Sequence, residues 1–247
     1  MRIWTEPFEK TYIAHRGLFD NDNKVPENSV MSFQKAIQNG YGIELDVRLT
    51  KDDKLVVFHD DSLKRMCGVE RNVSECRYQE LLQYPLLDSK EQIPLFEDVL
   101  RLINGSVPVI VELKAGKNYK KLAEFVGKSL ANYNGAFCVE SFMPMVLVWF
   151  RKHYPKMIRG QLFASYPEKI KRNNVLKIFT SANLLLSWYT RPDFLAYNHK
   201  DANLFPYRIY RRLFHTVHVG WTIHSQHELE EAKKVFSIII FDGFFPK

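Results

Sequence analysis

The stretch Ile43-Glu44-Leu45-Asp46-Val47-Arg48-Leu49-Thr50-Lys51-Asp52-Asp53-Lys54-Leu55-Val56-Val57-Phe58-His59-Asp60 decides the reading of this chain. Ile43, Leu45, Val47 and Leu49 alternate with Glu44, Asp46 and Arg48, which is the period of a strand, so the two carboxylates share one face. Tyr41, Gly42 and the apolar neighbours mark a buried strand, and two acids buried together need a cation. A polar turn then leads through Leu55–Phe58 to His59. Thr50–Lys54 is too short for the dozen or so residues that a crossover between parallel strands requires. Leu55–Phe58 is therefore expected to return antiparallel, as a hairpin arm that brings His59 back over the barrel and is not itself a barrel strand.

A second strand of the same character follows at Val107-Pro108-Val109-Ile110-Val111-Glu112-Leu113-Lys114. Ile110, Glu112 and Lys114 share a face. By itself Glu112 with Lys114 reads as an ion pair. With Glu44 and Asp46 it makes a third acid, and ligation by oxygen alone suits Mg²⁺ or Ca²⁺ better than zinc. Lys114 then offers fixed positive charge to an oxyanion. Upstream, Tyr12-Ile13-Ala14 reads as a short buried strand ending at His15-Arg16-Gly17. That tripeptide is suited to an anion, although a surface His–Arg pair is the commoner meaning of the motif alone. Val25-Pro26-Glu27-Asn28-Ser29 precedes a helix running to Asn39. Asn28 or Ser29 is expected to cap it, and Glu27 to lie near enough to the mouth to orient a ligand.

Working outward, strands and helices alternate to the end of the chain. Strands are expected at Phe137–Ser141, Ile158–Phe163, Asp193–Ala196, Val217–Ile223 and Ile238–Phe241. Helices are expected at Pro94–Asn104, Lys120–Tyr133, Pro144–His153, about Ala182–Tyr189, Phe205–Phe214 and Gln226–Val235. With Tyr12–Ala14, Ile43–Val47 and Val109–Leu113 this makes eight strands. The pattern predicts an α/β fold, a closed (β/α)8 barrel formed by residues 1–247 as one domain, with a hairpin and helical excursion at about 50–107 after the second strand. Chemistry in such barrels sits at the C-terminal ends of the strands, where His15, Glu44, Asp46, Glu112, Lys114, Ser141 and Trp221 all fall.

Composition narrows the class. Of 247 residues, 46% are hydrophobic and 14% aromatic, enough for a sizeable core and too apolar for a disordered chain. The net charge of +7 favours anionic ligands only weakly. Tyr207-Arg208 and Tyr210-Arg211-Arg212 form a basic-aromatic cluster that reads as a solvated helix face with buried rings, not as a nucleic-acid surface. Cys67, Cys76 and Cys138 fit neither a disulfide framework nor a zinc site and point to a reducing compartment. Met1–Lys10 lacks the apolar run of a secretory signal, and the apolar run Met143–Phe150 is too short for a transmembrane segment. A cytoplasmic location is the expectation.

In order along the chain, His15-Arg16-Gly17, Pro26-Glu27-Asn28-Ser29, Glu44-x-Asp46, Thr50-Lys51-Asp52, Val57-Phe58-His59-Asp60, Val111-Glu112-Leu113-Lys114, Ser141-Phe142 and Trp221-Thr222 resemble the motifs of the glycerophosphodiester phosphodiesterase family of TIM barrels. The resemblance runs from the first strand almost to the last. It implies that Glu44, Asp46 and Glu112 bind one divalent cation, and that His15 and His59 are the acid–base pair. It further implies that Arg16 and Lys114 hold the phosphate of a small glycerophosphodiester, with Glu27 and Asn28 in the metal and substrate surroundings and Trp221 against the substrate. Attack by the glycerol 2-hydroxyl through a cyclic phosphate, and a place in lipid and glycerol metabolism, are consistent with the same resemblance. Two departures stand out: Arg65-Met66-Cys67 replaces the usual Arg-Thr-Thr, and Phe241-Asp242-Gly243-Phe244-Phe245-Pro246 replaces Thr-Asp-x-Pro. Both bear more on substrate fit than on catalysis. Two other classes stay open: a phospholipase-D-like barrel acting on lysophospholipid or sphingomyelin, and a non-catalytic barrel that binds phosphate esters.

Overall fold

Every apolar run of the alternating pattern becomes a strand with two buried faces, and the two faces meet different partners. The computed structural model describes residues 5–163, 187–202, 207–208, 211–212 and 216–247. In chain order it places α1 at Glu6–Glu9, β1 at Ile13–Ala14, α2 at Val30–Gln38, β2 at Gly42–Leu49 and β3 at Leu55–Val57. The excursion adds α3 at Lys64–Cys67 and α4 at Tyr78–Leu81, and α5 at Phe96–Ile103 leads back to β4 at Val109–Leu113. Then come α6 at Tyr119–Ala131, β5 at Phe137–Ser141, α7 at Pro144–His153, β6 at Arg159–Phe163, α8 at Ser187–Thr190 and β7 at Phe194–Asn198. The chain finishes with β8 at Val217–Ile223, α9 at Gln226–Ala232 and β9 at Ile238–Phe241.

The nine strands form one sheet in the order β1-β9-β8-β7-β6-β5-β4-β2-β3, and β1 also pairs with β2. That second pairing closes eight parallel strands into a barrel. β3 lies outside it, antiparallel to β2 with Val47 opposite Val57, as the short turn required. Between α3 and α5 the helical part of the excursion is a 3₁₀ turn at Val73–Glu75 followed by α4. Most of the helix expected at Ala182–Tyr189 and part of the one at Phe205–Phe214 lie outside the described residues. Within the basic-aromatic cluster, Tyr207 is buried and stacked on Tyr197 while Arg208, Arg211 and Arg212 are exposed, which fits a solvated face over a buried ring.

Inside the barrel, Ile13, Ile110, Cys138, Leu162, Phe194, Ala196, Val219, Ile238 and Ile240 pack against one another, and Phe8 of α1 joins them. The outward faces of the strands, among them Ile43, Leu45, Val47, Val109, Val111 and Val139, pack against the helices. The excursion has its own core of Val56, Phe58, Leu63, Met66, Val73, Cys76, Leu81, Leu86 and Ile93. Met66 is thus a packing residue of the excursion and not a wall of the substrate site. The apolar plug ends one layer below the strand ends. Above it the inward positions turn acidic, because Asp46 is in register with Glu112 and Glu112 with Glu140.

Candidate active site

Alternation along β2 and β4 brings Glu44, Asp46 and Glu112 to one spot. Each is buried and offers a carboxylate oxygen, and the three atoms lie within 4.8 Å of one another. Lys114 Nζ bridges two of them, 3.0 Å from Asp46 Oδ1 and 2.7 Å from Glu112 Oε1. Burial pushes Glu44 well above its ordinary pKa, and the neighbouring acids push it further. Burial also takes Glu112 up to about 7 against the pull of Lys114. Asp46 behaves in the opposite way: burial would raise it, but Lys114 and Arg16 outweigh that and hold it well below the carboxylate range. Acids this crowded and this short of solvent match a hard divalent ion, which oxygen ligands alone can hold.

The His15-Arg16-Gly17 turn supplies the cationic side. Arg16 has a left-handed backbone, φ 56°, and so does Gly17, φ 80°. A Cβ on Gly17 would stand 2.5 Å from Ser32 Oγ, so only glycine lets the turn press against α2. In this conformation the Arg16 amide donates to Glu44 Oε2 (3.0 Å), and its guanidinium donates to Glu27 Oε1 (2.8 Å) and stands 3.4 Å from Asp46 Oδ2. Asn28, also left-handed at φ 55°, donates from Nδ2 to Asp46 Oδ2 at 2.8 Å. Ser29 caps α2, its hydroxyl accepting from the Ser32 amide at 3.1 Å. Of the two candidate caps Ser29 is the one used, and Asn28 is free to orient the acid. Arg65 joins the excursion to this network, its guanidinium 2.7 Å from both Glu27 and Asp60.

Each imidazole is held at Nδ1 by a carboxylate. His15 Nδ1 is 2.8 Å from Asp242 Oδ2, and His59 Nδ1 is 2.6 Å from Asp60 Oδ1. Such a partner keeps the Nδ1 proton, so a neutral ring presents its lone pair at Nε2. In His15 that nitrogen lies 3.9 Å from Glu44 Oε2. Both rings act electrostatically on Asp46, so the acid cluster lies within the field of each. Burial lowers the pKa of both rings, more than the neighbouring carboxylates raise it. Asp242→Asn should lower kcat by about 10- to 100-fold with little change in KM, because the ring would lose its fixed tautomer and not its place. Steady-state kinetics across pH would check this, with the limb that His15 sets moving to lower pH because Asp242 no longer raises the ring's pKa.

The sequence signature described as the Glycerophosphoryl diester phosphodiesterase family matches residues 15–196. That span starts at His15 and takes in both imidazoles, the three acids, Arg16 and Lys114. The chain belongs to this family. It is an enzyme of the phosphodiesterase class. A Bacillus subtilis protein, YhdW, a candidate glycerophosphodiester phosphodiesterase, is 29% identical over 209 residues, covering 80% of this chain and 85% of its own. The glycerophosphodiester phosphodiesterase of Bacillus altitudinis is 34% identical over 58% of this chain and 62% of its own length. Human lysophospholipase D GDPD1 is 34% identical over 48% of this chain and 41% of its own. Among solved structures, an Oleispira antarctica phosphodiesterase in complex with sn-glycerol-3-phosphate superposes with a TM-score of 0.78 at 20% identity, covering 94% of this chain and 92% of that one. At that identity the likeness is one of fold.

Within this family's arrangement, His15, Arg16, Glu27, Asn28, Glu44, Asp46, Glu112 and Lys114 form one connected network, and His59 joins it through Asp60 and Arg65. Trp221 stands on β8, edge-to-face with Phe142 at 5.9 Å between ring centres, its indole N–H buried without a partner. Phe142 is 41% exposed, so the pair forms an open aromatic wall. Ser141 faces away from the acid layer and donates to the Leu113 carbonyl at 2.8 Å, a packing role. Asp60, Asp242, Arg65 and Glu140 are the functional candidates that motif reading passed over.

Proposed function

We propose that this chain hydrolyses glycerophosphodiesters to glycerol 3-phosphate and an alcohol, with residues 1–247 acting as one catalytic domain. The observation that carries the reading is the convergence of three buried acid oxygens within 4.8 Å, flanked by two imidazoles each fixed at Nδ1. Glu44, Asp46 and Glu112 would hold one divalent ion, Mg²⁺ or Ca²⁺. When bound, the ion supplies positive charge to the phosphate oxygens in the transition state. Lys114 adds charge from the same side, and Arg16, anchored by Glu27, presents its guanidinium towards the anion. One imidazole takes the proton from the attacking oxygen at Nε2. The other, protonated, gives its Nε2 proton to the leaving alcohol. The arrangement accommodates water as attacker or the 2-hydroxyl of the glycerol itself.

The aromatic wall of Phe142 and Trp221 favours a second reading of the leaving group. An exposed aromatic pair at the mouth can receive an acyl chain or a quaternary ammonium, and part of the chain resembles a lysophospholipase D. The three cysteines are unpaired, which supports a reducing, cytoplasmic setting. Among the described residues no helix is long and apolar enough to cross a membrane. A substrate panel tests the proposal. Release of glycerol 3-phosphate from glycerophosphocholine is expected. Turnover of choline lysolipids without turnover of water-soluble diesters would replace the first reading with the second, and binding without turnover would overturn both.

A further inference from the structure

Glu140 is the inward residue of β5, in register with Glu112, and it is 2% exposed. It completes a row of three acids, Asp46, Glu112 and Glu140, on adjacent strands. Unlike the other two it has no ion pair among the described residues, and its Oε2 is buried without a hydrogen-bond partner. A carboxyl so placed costs stability unless a partner reaches it in some state of the protein. Its electrostatic neighbours are Glu112 and Asp46, which repel it, and Lys114, which attracts it.

Lys114 spans Asp46 Oδ1 and Glu112 Oε1, and both acids belong to the cluster of converging oxygens. An ammonium and a divalent ion held by the same two acids would repel each other strongly. The ammonium, 12% exposed, needs a new acceptor close at hand when the ion enters. Glu140 lies on the adjacent strand in register with Glu112, and Lys114 acts on it electrostatically. We infer that Glu140 is a positioning residue that receives the Lys114 ammonium when a divalent ion occupies the Glu44–Asp46–Glu112 site. The inference rests on the reading of that site as an ion site. On this account Lys114 holds the acid cluster together without the ion and moves one strand along in its presence. Glu140 supplies the charge that keeps the loaded layer balanced.

Calorimetric titration of metal-stripped protein with CaCl₂ and with MgCl₂ tests it, alongside melting curves. Glu140→Gln should weaken ion binding by about 10–100-fold, the usual loss when a partner behind a ligand is removed. Its ion-free melting temperature should be unchanged or higher, since an unpartnered buried acid has been removed. In a Lys114→Met background the same change should alter affinity by less than about twofold, because there is no ammonium to receive. Wild-type affinity in Glu140→Gln would overturn the inference while leaving the ion site standing. A loss that persists in Lys114→Met would also overturn it, by making Glu140 act on the ion directly. A wild-type protein that takes up neither ion would overturn the ion site and this inference with it.

Discussion

His15→Ala and His59→Ala should each reduce kcat by about 10²–10⁴-fold, the range that one positioned proton transfer contributes. The expectation is tied to these rings because each is fixed at Nδ1 by its own carboxylate and leaves Nε2 to react. Neither change should unfold the protein. Asp242 keeps His224 Nδ1 at 2.5 Å when the His15 ring is gone, and Asp60 keeps Arg65 Nε at 2.7 Å when the His59 ring is gone. No buried acid is left alone, and neither imidazole belongs to an apolar cluster. Release of glycerol 3-phosphate under saturating substrate gives the rates, with circular dichroism and melting to establish the fold. The double variant should be little slower than the worse single one, because the two transfers serve one displacement. Near-normal turnover in both single variants would end the acid–base assignment.

How far the site could be read in advance depended on whether its parts repeat within one strand. Glu44 with Asp46, and Glu112 with Lys114, are two residues apart, so the period of a strand placed each pair on one face before any fold was known. The length of Thr50–Lys54 alone was enough to make β3 antiparallel and bring His59 back. Asp242 was harder to find. It lies 227 residues from its imidazole, and the surrounding Phe241-Asp242-Gly243 stretch looked like a departure from a motif although it keeps the acid at the end of the last strand. Arg65 meets Glu27 across 38 residues because the excursion folds over the mouth, a contact that no local pattern encodes. Glu140 was legible by the same parity that marked Glu112: Cys138 faces the barrel interior, so Glu140 must as well. Ser141, next in the chain, has the opposite parity, and its hydroxyl binds a carbonyl on the neighbouring strand. Asn28 shows the converse. Its sequence position suited a helix cap, yet the left-handed backbone at φ 55° turns its amide to Asp46 and leaves the cap to Ser29.

Chelation should abolish hydrolysis, and Mg²⁺ or Ca²⁺ should restore it, with a pH dependence that follows from the acids. In the ion-free protein burial raises Glu112 to about 7 and lifts Glu44 well above its ordinary value, while Asp46 stays ionised beside Lys114 and Arg16. Below about pH 7 the ion must therefore expel at least one proton to bind, and apparent affinity should fall by about tenfold for each pH unit per proton released. The sign for stability is the reverse. An acid whose folded pKa lies above its unfolded one favours folding when protonated, so the ion-free fold loses stability as pH rises from about 4.5 to about 7. An ion at about 100 times its Kd adds about 2.7 kcal/mol, roughly 5–10 °C in melting temperature for a chain of this size. That gain should be larger at pH 8 than at pH 6 when total ion is fixed, because the acids that oppose each other at pH 8 are the ones the ion pairs. Melting curves of chelator-stripped protein with and without added ion at the two pH values give the comparison. Full turnover in excess chelator, or no melting gain from added ion at either pH, would mean that Glu44, Asp46 and Glu112 are held by Lys114 and Arg16 alone, as a structural ion-pair network with no cation to bind.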